Sequence, residues 1–161
     1  MPRVDPRAGA PFTYADLRTS TVPIHHMPGH YIRRLQQIAV ALFARRLDRY
    51  AITPVQYAAL AALEHNGTCD QAALAALIGY DRATIGGVVD RLLAKRWVAR
   101  ESSRTDRRMK LVTLTSAGSA LLRRAARDVE RVQEDLMAPL NATQRRQFER
   151  LCLRLLAGHV G

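Results

Sequence analysis

Arginine is the residue type with the most chemistry to offer in this chain, and two stretches gather it. The first, TDRRMKLVTLTSAG at residues 105–118, sets Asp106, Arg107 and Arg108 in front of a strand-like run, with Ser103 and Arg104 just ahead. The second, DRATIGGVVDR at residues 81–91, spaces Arg82, Thr84 and Arg91 at helical intervals around Gly86 and Gly87. Arginine's planar fork meets phosphate oxygens and guanine edges with paired hydrogen bonds, which a lysine ammonium does not do. Catalytic patterns are missing by comparison. The sequence has no glycine-rich phosphate loop, no zinc-protease helix motif and no nucleophile beside an obvious base. Triads are assembled by folding, so this excludes only local motifs. No catalytic residue, metal ligand or cofactor is assigned, and the chain is not expected to be an enzyme.

The overall charge agrees with a polyanionic partner. There are 25 Lys and Arg against 14 Asp and Glu, a formal net charge of +11, and only Lys95 and Lys110 are lysines. Nucleic acid, narrowed to double-stranded DNA by the resemblance given below, is the leading partner, an anionic membrane surface is the rival, and a coding bias toward arginine codons is the reading without function. A chain of 161 residues, 48% apolar, can bury the core of one domain with helices appended. No apolar run reaches bilayer length, and the proline-bearing N-terminus lacks the continuous apolar region of a signal peptide, so a cytoplasmic location without membrane contact is expected. Cys69 and Cys152 stand far apart and outside any C-x-x-C pair, which reads as two buried free thiols, with a peroxide-sensing thiol as the alternative. His25, His26 and His30 raise a zinc reading. Two of them are adjacent and no acid lies close by, so a solvated or anion-facing set fits better and no metal is assigned.

These residues need elements to hold them. Residues 1–28 carry five of the seven prolines and no helical period, and read as an extended arm. From His30, apolar residues at Ile32, Leu35, Ile38, Leu42, Phe43 and Leu47 fall on one helix face, giving a helix over 29–50. Thr53 and Pro54 open a second helix, which Gly67 closes. Asp70 caps a short helix ending near Ile78, Gly79 and Tyr80 turn, and Asp81 caps another with Ile85, Val88, Val89 and Leu92 inward. Two short helices around a glycine turn form the pattern of a helix-turn-helix. Its second helix exposes Arg82, Thr84, Gly86, Gly87 and Arg91. Each glycine costs about 1 kcal/mol there relative to alanine, so close approach to another surface or an internal packing need must account for it. Trp97–Glu101 and Lys110–Leu114 read as two strands joined by a polar loop, the arrangement of a wing. Thr115 opens a long helix that Pro139 breaks, and Asn141 with Gln144 forms a capping box for the last one. The first helix and the last two carry apolar stripes wider than a small winged domain needs, which suits a dimer interface.

The pattern D-x-R-x-x-x-V-x-L-T-x-x-G is met by Asp106, Arg108, Val112, Leu114, Thr115 and Gly118. This resembles the wing signature of the MarR family of bacterial transcriptional regulators. DRATIGGVVDRLLAKRWVARESSRTDRR is similar to that family's recognition helix running into its wing, and ITPVQYAALAAL to its second helix. The likeness covers about residues 30–157. It implies a mainly α fold with a small β-hairpin wing (α+β), a winged helix-turn-helix with N- and C-terminal dimerisation helices. The expected divisions are an arm over 1–28, a dimerisation helix over 29–50, the DNA-binding domain over 51–114 and C-terminal dimerisation helices over 115–161. It also implies a homodimer that represses transcription from a palindromic operator and is released by a small anionic aromatic ligand. PGHYIRRLQQIAVALF resembles the subgroup controlling aromatic acid breakdown, including nicotinate regulators that answer to 6-hydroxynicotinate.

The residue assignments follow from that picture. Arg82 and Thr84 face bases or phosphates in a major groove, Gly86 and Gly87 permit close approach, and Arg91 holds a phosphate. Wing-tip residues Ser103, Arg104, Thr105, Arg107 and Arg108 reach the minor groove or its flanking phosphates, with Asp106 pairing Arg108 to fix the turn. A solvated loop with a local ion pair is the competing reading. Two reading helices on a dimer must lie about 34 Å apart. A sensory crevice is expected where the first, second and long helices meet. There Arg33 or Arg34 pairs with a carboxylate, His30 and Tyr57 give hydrogen bonds, and Gln37 and Gln56 line the walls. A solvated face or an intersubunit ion pair is the alternative for the arginines. A non-specific architectural DNA binder and a redox-responsive regulator remain as other functions.

Overall fold

The computed structural model describes residue 19, residues 21–102 and residues 109–159. After a 3₁₀ turn at Pro23–His26 come α1 (Pro28–Leu47), a second 3₁₀ turn (Asp48–Tyr50), α2 (Pro54–Asn66), β1 (Cys69–Asp70), α3 (Gln71–Ile78) and α4 (Arg82–Ala94). Strands β2 (Val98–Ser102) and β3 (Lys110–Leu114) lead to α5 (Ser116–Met137) and α6 (Ala142–Ala157). The chain forms two compact units, 1–38 and 39–161, so the winged region and the helices after it belong to one unit. No single helix among the described residues is long and apolar enough to cross a membrane.

Short polar side chains set the helix starts. Thr53 and Gln56 exchange hydrogen bonds in a capping box, with the Gln56 N–H donating to Thr53 Oγ1 at 3.3 Å and the Thr53 N–H donating to Gln56 Oε1 at 3.2 Å. Asp70 accepts the Ala73 N–H at 2.8 Å and Asp81 the Thr84 N–H at 2.8 Å, which fixes both helices of the helix-turn-helix. Gly79 ends α3 in the left-handed region at φ 68°, where a side chain is strained. At the end of α4 the same conformation falls on Arg96, at φ 58°, with the Trp97 N–H donating back to the Leu92 carbonyl at 3.1 Å.

The sheet has three antiparallel strands in the order β1-β3-β2. The hairpin expected from sequence is present as β2 and β3, beginning one residue later than expected, with Arg100 opposite Val112. The extra strand is the pair Cys69–Asp70, facing Val112 and Leu111. Two residues carry no period of their own, so only the long-range partner reveals them. The core of the larger unit gathers Leu47 from α1, Leu60 and Leu63 from α2, Leu74 from α3, Ile85, Val88 and Leu92 from α4, Val112 from β3 and Leu121 from α5, all essentially sealed from solvent. Burying each such leucine stabilises the fold by about 1.5–3 kcal/mol. By contrast α6 buries no residue, and Leu153, Leu155 and Leu156 are each more than half exposed.

Candidate functional site

The core residues of α4 leave the helix's other side to solvent. Arg82 and Thr84 are exposed on its first turn, and Asp90 and Arg91 further along. Thr84 donates its hydroxyl to Asp81 Oδ2 at 2.6 Å, keeping an oxygen lone pair for another donor. That hydrogen bond, with the Thr84 backbone N–H, holds the Asp81 carboxyl below its usual range. Gly86 and Gly87 lie one turn later. A Cβ on Gly86 would meet nothing within 4 Å, and one on Gly87 only the Arg91 guanidinium, at 3.6 Å. Packing among the described residues therefore does not require these glycines. The structure also joins the start of α4 to the root of the wing. Arg82, Asp70, Gln71, Met109 and Lys110 line one crevice of about 350 Å³. Lys110 was not among the residues expected here; only the β1–β3 pairing brings it beside α3 and α4. The wing-tip assignments Ser103, Arg104, Thr105, Asp106, Arg107 and Arg108 lie outside the described residues.

The end of the wing signature has a local structural cause. Thr115 caps α5, accepting the Gly118 N–H at 3.1 Å, donating its hydroxyl to the Arg96 carbonyl at 2.8 Å and its N–H to the Trp97 carbonyl at 3.0 Å. Gly118 is buried against Trp97. These residues set where α5 leaves the wing. Further polar ties hold α5 along its length. Ser119 donates to Glu64 of α2 at 2.7 Å and accepts from Arg123 at 2.8 Å. Asp128, nearly buried, accepts from Tyr50 at 2.9 Å and from Arg49, and its carboxyl is held below the usual range first by Tyr50, then by Arg49. Arg46 donates to Asp135 at 2.7 Å. Asp128 was not singled out from sequence, because its acidic side chain sits within a run of exposed charges.

A crevice of about 380 Å³ runs between α2 and α5, with Tyr57, Glu64 and His65 on one wall and Leu122, Arg123 and Ala126 on the other. Tyr57 is half-buried and meets Phe43 edge-on at 6.1 Å; burial, then Glu64 and Glu130, raises its hydroxyl's pKa. Of the other expected sensory residues, Gln56 is buried with its Oε1 occupied in the helix cap. His65 and Arg123 were absent from the sequence assignment; His65 shares α2 with Tyr57, whereas the approach of Arg123 depends on α5 returning over α2. In the smaller unit, Arg33, Arg34 and Gln37 are exposed on α1. The Arg33 guanidinium lies 3.3 Å from His30 Nδ1, and the His25 and His30 rings are 5.3 Å apart. Partial burial, Arg33, His25 and Arg34, in that order, lower the His30 pKa. Cys69 and Cys152 are free and half-buried rather than fully buried. Burial and Asp70 push the Cys69 thiol up, which reduces its reactive thiolate.

The profile of the MarR family matches residues 52–109 of this chain. The HTH-type transcriptional repressor NicR of Pseudomonas putida is 33% identical over 133 residues, covering 78% of this chain and 84% of NicR. The structure of Bordetella bronchiseptica BpsR, solved to explain the regulation of its DNA binding by 6-hydroxynicotinic acid, matches with a TM-score of 0.77 and 31% identity, covering 81% of this chain and 93% of BpsR. The Streptomyces coelicolor regulator PcaV, in complex with its natural ligand, matches with a TM-score of 0.79 and 32% identity, covering 88% of this chain and 99% of PcaV.

Proposed function

We propose a function from one premise: this chain belongs to the MarR family of transcriptional regulators. It acts as a homodimer that occupies a palindromic operator and leaves it on binding a small aromatic carboxylate. The observation that carries the DNA half is the exposed first turn of α4, where Arg82 and Thr84 sit beside the wing root and ahead of two glycines free of internal packing. A helix face open at its glycines lets a groove approach the backbone closely, and the cations beside it neutralise phosphates. In this reading Arg82, Thr84, Gly86, Gly87 and Arg91 meet one half-site, and Ser103, Arg104, Thr105, Arg107 and Arg108 the flanking groove, with Asp106 fixing the turn.

The dimer reading is supported by the apolar residues left in water on α6, Phe148, Leu151, Leu153, Leu155 and Leu156. Exposed apolar surface of that extent marks a protein interface. The inducer reading has two residue sets, each open to separate test. On α1 it is His30, Arg33, Arg34 and Gln37, an imidazole and guanidinium cluster suited to a carboxylate. Between α2 and α5 it is Tyr57, joined by His65 and Arg123 around an apolar floor; Gln56 holds the cap of that wall. Relatives named for 6-hydroxynicotinic acid and for a natural ligand support this class of effector. The test is a mobility shift on the DNA upstream of the chain's own gene, with sedimentation to count subunits. A dimer should bind that DNA well above random duplex and be displaced by an acid such as 6-hydroxynicotinate. Equal binding to random duplex would instead favour an architectural role.

A further inference from the structure

Asp90 is out of place on a surface meant for DNA. It lies exposed on the solvent side of α4, one turn beyond Gly86 and Gly87 and next to Arg91, where a carboxylate should repel phosphates. The structure gives it a partner from another element. Arg100 Nη1, on β2, lies 3.0 Å from Asp90 Oδ1. Arg100 stands two residues before the end of β2, in the strand that leads to the wing tip, and its backbone is held in register opposite the buried Val112 of the central strand. The pair therefore spans the two parts that must engage one duplex together, reading helix and wing. Both side chains are well exposed, at 38% and 64%, so the link adds little to global stability.

We infer that Asp90 and Arg100 are positioning residues for DNA recognition: the ion pair sets the wing's first strand against the reading helix and cancels the carboxylate's repulsion of phosphate. This inference rests on the DNA-binding reading above. It makes a prediction opposite in sign to simple electrostatics. Removing an acid from a DNA-facing surface should tighten binding to every duplex. If Asp90 holds Arg100 in place, Asp90→Asn instead weakens binding to the specific site while non-specific binding stays the same or strengthens.

The experiment selects duplexes from a random pool with the wild-type protein and, separately, with Asp90→Asn, then measures affinity for the wild-type site and for random duplex over a salt series for Asp90→Asn, Arg100→Gln and the double variant. Each single variant should lose roughly 5-fold in specific affinity, the double variant should lose no more than either single one, and Arg100→Lys should recover part of the loss. The salt slope should stay as in the wild type. Melting curves that match the wild type confirm that folding is unaltered. Tighter specific binding by Asp90→Asn overturns the inference. So do additive losses, a slope reduced by about 1 in Arg100→Gln, which marks a direct phosphate contact, or a different sequence selected by Asp90→Asn, which marks a base contact. If the wild type enriches no sequence, the DNA-binding reading fails and this one with it. If it enriches one and the variants bind it unchanged, only the brace fails.

Discussion

Gly118 on α5 packs so closely on Trp97 that a Cβ there would overlap the Trp97 carbonyl oxygen and come within 2.6 Å of Leu114 Cδ1. The Trp97 carbonyl cannot easily give way, because it already accepts the Thr115 N–H, and the backbone of Leu114 is held in β3. Gly118→Ala should therefore destabilise the fold by about 1–3 kcal/mol, as overpacking does, read as a lower urea midpoint with an unchanged slope. An unaltered midpoint would mean that α5 can shift away from the wing without cost.

Arg96 predicts the reverse. It holds a left-handed conformation at φ 58° where glycine is the usual residue, and its side chain is exposed. Arg96→Gly should raise stability by about 1 kcal/mol, since the L side chain's strain outweighs the entropy glycine adds to the unfolded chain. Thermal melts of the two proteins in one buffer decide it.

The exposed arginines of α4 should separate by role. Arg91→Ala should weaken binding to all duplexes alike and reduce the salt slope by about 1, because a phosphate contact carries no sequence information. Arg82→Ala should lose discrimination at one base pair if it reads a guanine, with a cost of about 1–3 kcal/mol confined to that site. Competition binding against single-base operator variants measures both.

Asp128 gives an acid-range prediction. Tyr50 and Arg49 hold its folded pKa below the ordinary 3.8. A depressed carboxylate adds stability that is fully present above its unfolded value and lost as pH falls through the folded one. Asp128→Asn should lower the melting temperature at neutral pH, and the difference from wild type should shrink below about pH 4. A difference that persists at pH 2 would assign the effect to packing instead.

His30 should make acid binding depend on pH. Burial and the nearby cations Arg33, His25 and Arg34 lower its pKa in the free protein. A carboxylate bound beside it offsets that repulsion and raises the pKa, so binding takes up a proton. Affinity for an aromatic acid should rise as pH falls from the free protein's neutral-imidazole range, and His30→Gln should flatten the profile. Calorimetry in two buffers of different ionisation heat counts the proton. Zero uptake in the wild type would remove His30 from the effector's surroundings.

The sequence by itself determined the helices α1 to α6 and the hairpin, in their order, because the signals for them are local. Thr53, Asp70, Asp81, Thr115 and Asn141 cap the helices they precede, each through a side-chain oxygen accepting the backbone N–H three residues on. The inward face of α4 was legible from Ile85, Val88, Val89 and Leu92 for the same reason: helical spacing alone puts them together. What only the tertiary structure decided involves pairs distant in the chain. Cys69–Asp70 becomes a strand because β3 returns beside it, Lys110 comes to line one crevice with Arg82 through that sheet, and Asp128 is buried because Arg49 and Tyr50 arrive from the turn after α1. Gly118 belongs to both accounts. Its place in the motif is readable in sequence, but the carbonyl that forbids a side chain there is met only when the hairpin brings Trp97 against the start of α5. A residue's own neighbours fix its backbone preference, whereas its partners across the fold depend on loop closures that no local pattern records.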